Sequence, residues 1–151
     1  GGVTVMKKAL IVYDSRTGRT EKMAGYIAEG LRSGGVDVQL RKVSECGDRN
    51  LLDGYDAYLF GAPTYFKDTT TPMKELLFSI HGMDLKGKVG GAFGSYTHIG
   101  NGPKLIYDTM EHVFGMNMGD MNPLNVKEQI LDTGKGEQVC RDYGKALARK
   151  G

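Results

Sequence analysis

The stretch YDSRTGRT, residues 13–20, places three aliphatic hydroxyls, a glycine and two arginines directly behind the apolar run ALIVY. Where such a loop feeds a helix, the first backbone N–H groups lack partners and the helix dipole is positive. Ser15, Thr17 and Thr20 add hydroxyl donors, and Gly18 permits a bend that curls the amides inward. This chemistry suits an anion, and a terminal phosphate monoester is the natural fit. Thr20 could instead serve as the N-cap of the helix. Capping, however, accounts for one hydroxyl and leaves two more around a glycine. Arg16 and Arg19 have two readings, as solvent-facing side chains or as ion-pair partners of the anion.

Two further loops carry large aromatics. GAPTYFKD (61–68) brings Tyr65 and Phe66, and GSYTHIGNG (94–102) brings Tyr96 and His98. Beside a phosphate site, two such loops suit a flat aromatic ligand stacked between rings. The rings could also pack on one another as a cluster at the loop tips. His98 could hydrogen-bond such a ligand and make its chemistry pH-dependent, or be a polar surface residue. His81 and His112 have no sequence partner and read as structural or exposed.

These loops need rigid elements to position them. ALIVY (9–13), AYLFGA (57–62) and VGGAFG (89–94) read as buried strands, VDVQL (36–40) as a half-buried one, and a last strand falls within 122–126. The glycines of VGGAFG suggest close backbone approach. Apolar residues recur at helical spacing over 20–32, from Pro72 through Ile80, over 103–114 and over 136–149. In 103–114 the expected inner face is Leu105, Ile106, Thr109, Met110 and Val113. Alternating strands and helices predict an α/β fold: a doubly wound, five-stranded parallel sheet in a three-layer α/β/α sandwich. In such folds ligands sit beyond the carboxyl ends of the strands. That points to loops 14–20, 62–71 and 95–102.

Other chemistries find no support. The loop lacks G-x-G-x-x-G and G-x-x-x-x-G-K-[ST], and GMDLKGK (82–88) leads into a strand with Val89 where a hydroxyl is needed. A phosphoacceptor domain would need an aspartate at the end of the third strand, where LFGAPT has none. Cys46 and Cys140 stand apart from each other and from any histidine, which excludes a zinc or dithiol motif and suits a reducing cytoplasm. With 151 residues, 40% hydrophobic, and a formal charge of +2 spread along the chain, one globular domain is expected, without nucleic-acid binding. No apolar run approaches the ~18 residues of a membrane span, and no signal peptide is evident. Residues 1–5 (GGVTV) read as an addition before a natural start at Met6, leaving 6–151 as the domain.

Taken in order, SRTGRT, GAPTY and FGSY resemble the phosphate loop and the two flavin-ring loops of the flavodoxins. TEKMAGYIAEGL and FGSYTHIG are most similar to the flavodoxin-like domain of the A-type flavoproteins (flavo-diiron proteins), here without the metal-binding domain. The resemblance implies FMN as cofactor. Its phosphate would lie on Ser15, Arg16, Thr17, Gly18, Arg19 and Thr20, the hydroxyls and backbone doing the work. Ala62, Pro63, Thr64, Tyr65 and Phe66 would line one side of the ring system; Gly94, Ser95, Tyr96, Thr97, His98 and Gly100 would meet its other face and pyrimidine edge. It also implies low-potential electron transfer between redox partner proteins, with no catalytic or metal-binding residue. The alternative is an FMN-dependent NAD(P)H:quinone reductase, whose relatives generally carry extra insertions. Well-studied flavodoxins are strongly acidic, and this slightly basic chain departs from them.

Overall fold

A computed structural model describes residues 6–150; residues 1–5, and with them the expected addition before Met6, lie outside the described residues. Five strands, β1 (Lys8–Tyr13), β2 (Asp37–Lys42), β3 (Ala57–Gly61), β4 (Val89–Tyr96) and β5 (Leu124–Lys127), form one sheet in the order β2-β1-β3-β4-β5. Every pairing is parallel. Parallel strands need crossover connections, supplied by helices α1 (Arg19–Ser33), α2 (Thr71–Ser79), α3 (Gly102–Asp108), α4 (Glu128–Asp132) and α5 (Gly136–Ala148). The doubly wound fold expected from the alternation is the one observed.

Period-two alternation sorts the strands between two cores. Ala9, Ile11, Leu59 and Phe93 pack against Met23, Ile27 and Leu31 of α1 and Cys140, Tyr143 and Leu147 of α5. Leu10, Val12, Tyr58, Phe60 and Ala92 face the other way, onto Met73, Leu76 and Leu77 of α2 and Ile106 of α3. Both cysteines are free and buried, and burial pushes the Cys140 thiol up to about 12, far from the reactive range.

Two expectations need correction, and one element has no counterpart among them. Helix 103–114 begins as α3 but widens into a π turn at Thr109–Val113, closed by a bond from Phe114 N–H to Thr109 O of 3.1 Å. Ile106 and Met110 point inward as expected and Leu105 is exposed, while the extra residue in the turn leaves Val113 in water and brings Phe114 into the core. Ser95 and Tyr96, placed by sequence in a loop, belong to β4, whose pairing with β5 runs through Tyr96. Short helix α4 carries too few apolar residues to register as a period.

The start of β1 is anchored electrostatically. Asp56 accepts the backbone N–H groups of Lys7 and Lys8, both at 2.9 Å, and these bonds hold its carboxyl below the usual carboxylate range. A lowered folded-state pKa means that the stabilisation is present above the unfolded value of about 3.9 and lost as pH falls through the folded one. Asp56→Asn is therefore expected to lower Tm near neutral pH and to make no difference at the acid end of a pH series of melts.

Candidate functional site

At the carboxyl end of β1 the chain turns through Gly18, whose φ of 86° is left-handed and favours a residue without a side chain. Ser15 Oγ accepts the N–H groups of Gly18 (3.1 Å) and Glu21 (3.3 Å), which uses both of its lone pairs. Its O–H remains free to donate. The first intrahelical bond of α1 is from Lys22 N–H to Gly18 O, so the Arg19 and Thr20 amides precede the hydrogen-bonded ladder. Together these donors fit an anion at the helix start. Thr17 is exposed beside them.

Thr20 is not the helix cap. It is buried, and its Oγ1 lies 3.0 Å from Ser95 Oγ, which is also buried. One hydroxyl thus ties the first loop to the end of β4. Arg19 is likewise engaged elsewhere: Nε and Nη2 donate to the two carboxylate oxygens of Asp132, each at 2.9 Å, and Nη1 lies 3.5 Å from Glu128. The Arg19 guanidinium holds the Asp132 carboxyl below its usual range. Neither residue of α4 was visible from sequence, because the fork closes over more than 100 residues. Arg19→Ala is expected to cost only a small drop in Tm, as exposed pairs do, and to leave ligand affinity within about twofold. A larger loss of affinity, read by titration, would return Arg19 to the anion site. Arg16 stands with its guanidinium carbon 5.8 Å from the centroid of Tyr65, linking the first loop to the second.

The second and third loops face each other across a cavity of about 350 Å³ lined by Thr64, Tyr65, Phe66, Lys67, Thr97, His98 and Ile99. Thr64 braces it, accepting Gly102 N–H at 2.9 Å on Oγ1 and donating its own N–H to Ser95 O at 3.0 Å. Tyr65 and Asp68 exchange two backbone bonds, 2.8 and 2.9 Å, around a tight turn. At its tip Phe66 (φ 51°) and Lys67 (φ 65°) are both left-handed, though neither is glycine. Ala62, Pro63, Gly94 and Ser95 are buried and Tyr96 and Gly100 partly buried, and none of them lines this cavity. Gly94 allows the closest approach: a Cβ there would stand 2.0 Å from Ala62 O. The cluster of aromatics at the loop tips does not form, as Phe66 is fully exposed. Sequence reasoning did not pick out Lys67 and Ile99 as lining residues, although they adjoin Phe66 and His98.

His81 and His112 are exposed and lie outside this cavity. A second apolar cavity, between α2 and the π turn, is bordered by Phe78, His81 and Val113. No group of acidic, histidine or cysteine side chains suited to a metal occurs among the described residues.

Comparison with known proteins agrees with this geometry. A sequence model of the flavodoxin family matches residues 11–142. The chain is 32% identical over 144 residues to a flavodoxin of Maridesulfovibrio salexigens, covering 87% of this chain and 97% of that one. It is 33% identical over 148 residues to a nitric oxide reductase of Moorella thermoacetica, covering 95% of this chain but only 36% of the relative. A flavodoxin structure from the domain Archaea superposes with a TM-score of 0.84 at 32% identity, over 95% of this chain and 97% of that one. The resemblance to both flavodoxins and A-type flavoproteins therefore stands, and the chain belongs to the flavodoxin family of flavin-binding electron-transfer proteins.

Proposed function

We propose that the flavin is FMN and that the chain carries single electrons between redox partner proteins, in the cytoplasm. The observation that carries this reading is the pairing of an anion-ready helix start with an open slot between two aromatic-bearing loops. Bound FMN would supply one-electron oxidation and reduction. The protein's part is to bind and orient. The Ser15 O–H and the Arg19 and Thr20 amides would donate to the phosphate, with Thr17 closing over it. Tyr65 and Tyr96 would flank the ring system and exclude water, lowering the dielectric around it and disfavouring added negative charge. Backbone groups of the 64–67 turn, held by the Tyr65–Asp68 bonds, would meet the ring edge. Buried free cysteines suit a reducing compartment, and no helix of the described residues is long and apolar enough to cross a membrane.

Stepwise reductive titration of the FMN-loaded protein tests the carrier assignment. Two resolved one-electron steps are expected, with no rapid reduction on anaerobic mixing with NADPH. A single two-electron step with fast bleaching by NADPH would point to the reductase alternative instead.

A further inference from the structure

We propose that the face formed by α2 and the π turn docks a second copy of this chain, each copy's Phe78 entering the other's cavity there. After Phe66, the two most exposed large apolar side chains of the described residues are Phe78 (85%) and Val113 (60%). Both border the same cavity of about 330 Å³, which the buried Leu77 and Phe114 also line. Val113 is in water because of the π turn, and such turns inside helices occur frequently at functional sites. Leu105, 42% exposed, extends the apolar stripe one turn before Thr109. Exposed apolar surface gathered in one place, instead of scattered singly, marks an interaction site.

Shape and charge select the occupant. An exposed ring beside an apolar hollow is a knob and a socket on one patch, and a twofold contact between identical copies requires such self-complementarity. A cavity of about 150 Å³ already admits a benzene ring, so the socket has room for the partner's. Charges around the face are of both signs and mostly matched within the chain: Lys74 pairs with Asp68, Lys104 with Asp108, and His112 contacts Glu111. Glu75 and His81, three residues before and after Phe78, have no ion pair among the described residues. Crossing the two α2 helices at Phe78 can set Glu75 of one copy against His81 of the other. A strongly charged partner finds no excess of one sign to hold, whereas a second copy meets no repulsion. Two buried phenylalanine side chains remove on the order of 300–400 Å² of apolar surface from water. Against the roughly 800 Å² per partner of a standard interface, that is the core of a small, reversible dimer. Phe78 and Val113 stand in the last turns of their helices, whereas the flavin slot lies where the strands feed the first turns. The slot therefore stays open, and the inference does not rest on the cofactor.

Sedimentation velocity of the purified protein over a range of concentrations tests the proposal. The mass is expected to rise from monomer to dimer with concentration, and to change little between low salt and ~0.5 M, because the contact is apolar. Phe78→Glu should remain monomeric throughout, with a Tm close to the parent's because the position is exposed. Val139→Glu, the same change at an exposed apolar position of α5 in the opposite layer, should dimerise as the parent does. In spectra of ¹⁵N-labelled protein, amides of Leu77, Phe78 and Val113 should shift with concentration while those of Thr97 and His98 stay in place. A parent that is monomeric up to its solubility limit would overturn the proposal and leave the cavity to another occupant. So would a dimer that survives Phe78→Glu, one abolished equally by Val139→Glu, or shifts confined to another face. The readout is mass, so failure to bind FMN and failure to dimerise are separate results.

Discussion

Gly94→Ala is expected to lower Tm by roughly 3–10 °C, the consequence of forcing about 1–3 kcal/mol of overpacking into a chain this size. The added Cβ would lie 2.0 Å from Ala62 O and 3.0 Å from Pro103 Cγ. The first of these is backbone, so no side chain can rotate away to relieve it. The end of β3 must separate from β4, and Ala62 N–H, which donates to Phe93 O at 3.1 Å, moves with it. Both walls of the cavity hang on that junction. Flavin affinity should therefore fall at least about tenfold, the equivalent of 1.4 kcal/mol. Gly25→Ala in α1 is the control: its Cβ meets nothing within 4 Å, and removing a helical glycine should stabilise by about 0.5–1 kcal/mol. Thermal melts and flavin titration of the two variants give opposite signs on this account.

Thr20→Val should be the other large effect. It removes one member of the buried hydroxyl pair and leaves Ser95 Oγ without a partner in a fully buried position. An orphaned buried hydroxyl costs about 1–3 kcal/mol, whereas removing both members together is close to neutral. The double variant Thr20→Val/Ser95→Ala is therefore expected to melt above Thr20→Val alone. Flavin affinity should stay low in both, because neither restores the link between the helix start and β4. Strict additivity of the two substitutions in Tm would show that the hydroxyls do not act as a pair.

Much of the architecture was legible because it rests on local periodicity. The buried runs at Ala9–Tyr13 and Ala57–Ala62 and the apolar stripe of Met23, Ile27 and Leu31 specify strands and a helix without reference to anything distant. The loops that end those strands then locate the site. What escaped depends on pairings across the chain or on small backbone adjustments. The Arg19 fork to Asp132 and the Thr20–Ser95 contact join residues far apart in sequence, so neither leaves a local trace. The π turn at Thr109–Val113 rotates a helix by one residue, enough to put Val113 in water while keeping Met110 in the core. Left-handed backbone at Phe66 and Lys67 could not be foreseen, since sequence preference puts glycine or asparagine there.

Those hidden features changed the roles of residues more than their membership in the site. The two arginines, which look like the obvious anion partners, are occupied by Asp132 and Tyr65. On the proposed reading, binding of the FMN phosphate would then fall to amides and the Ser15 hydroxyl.

The most direct test of the central claim is an absorption spectrum of the purified protein before and after adding FMN, followed by chromatographic identification of the cofactor released on denaturation. The account predicts a yellow protein that takes up one FMN per chain and releases FMN. A protein that stays colourless with excess FMN, or one that releases FAD or riboflavin, would contradict it.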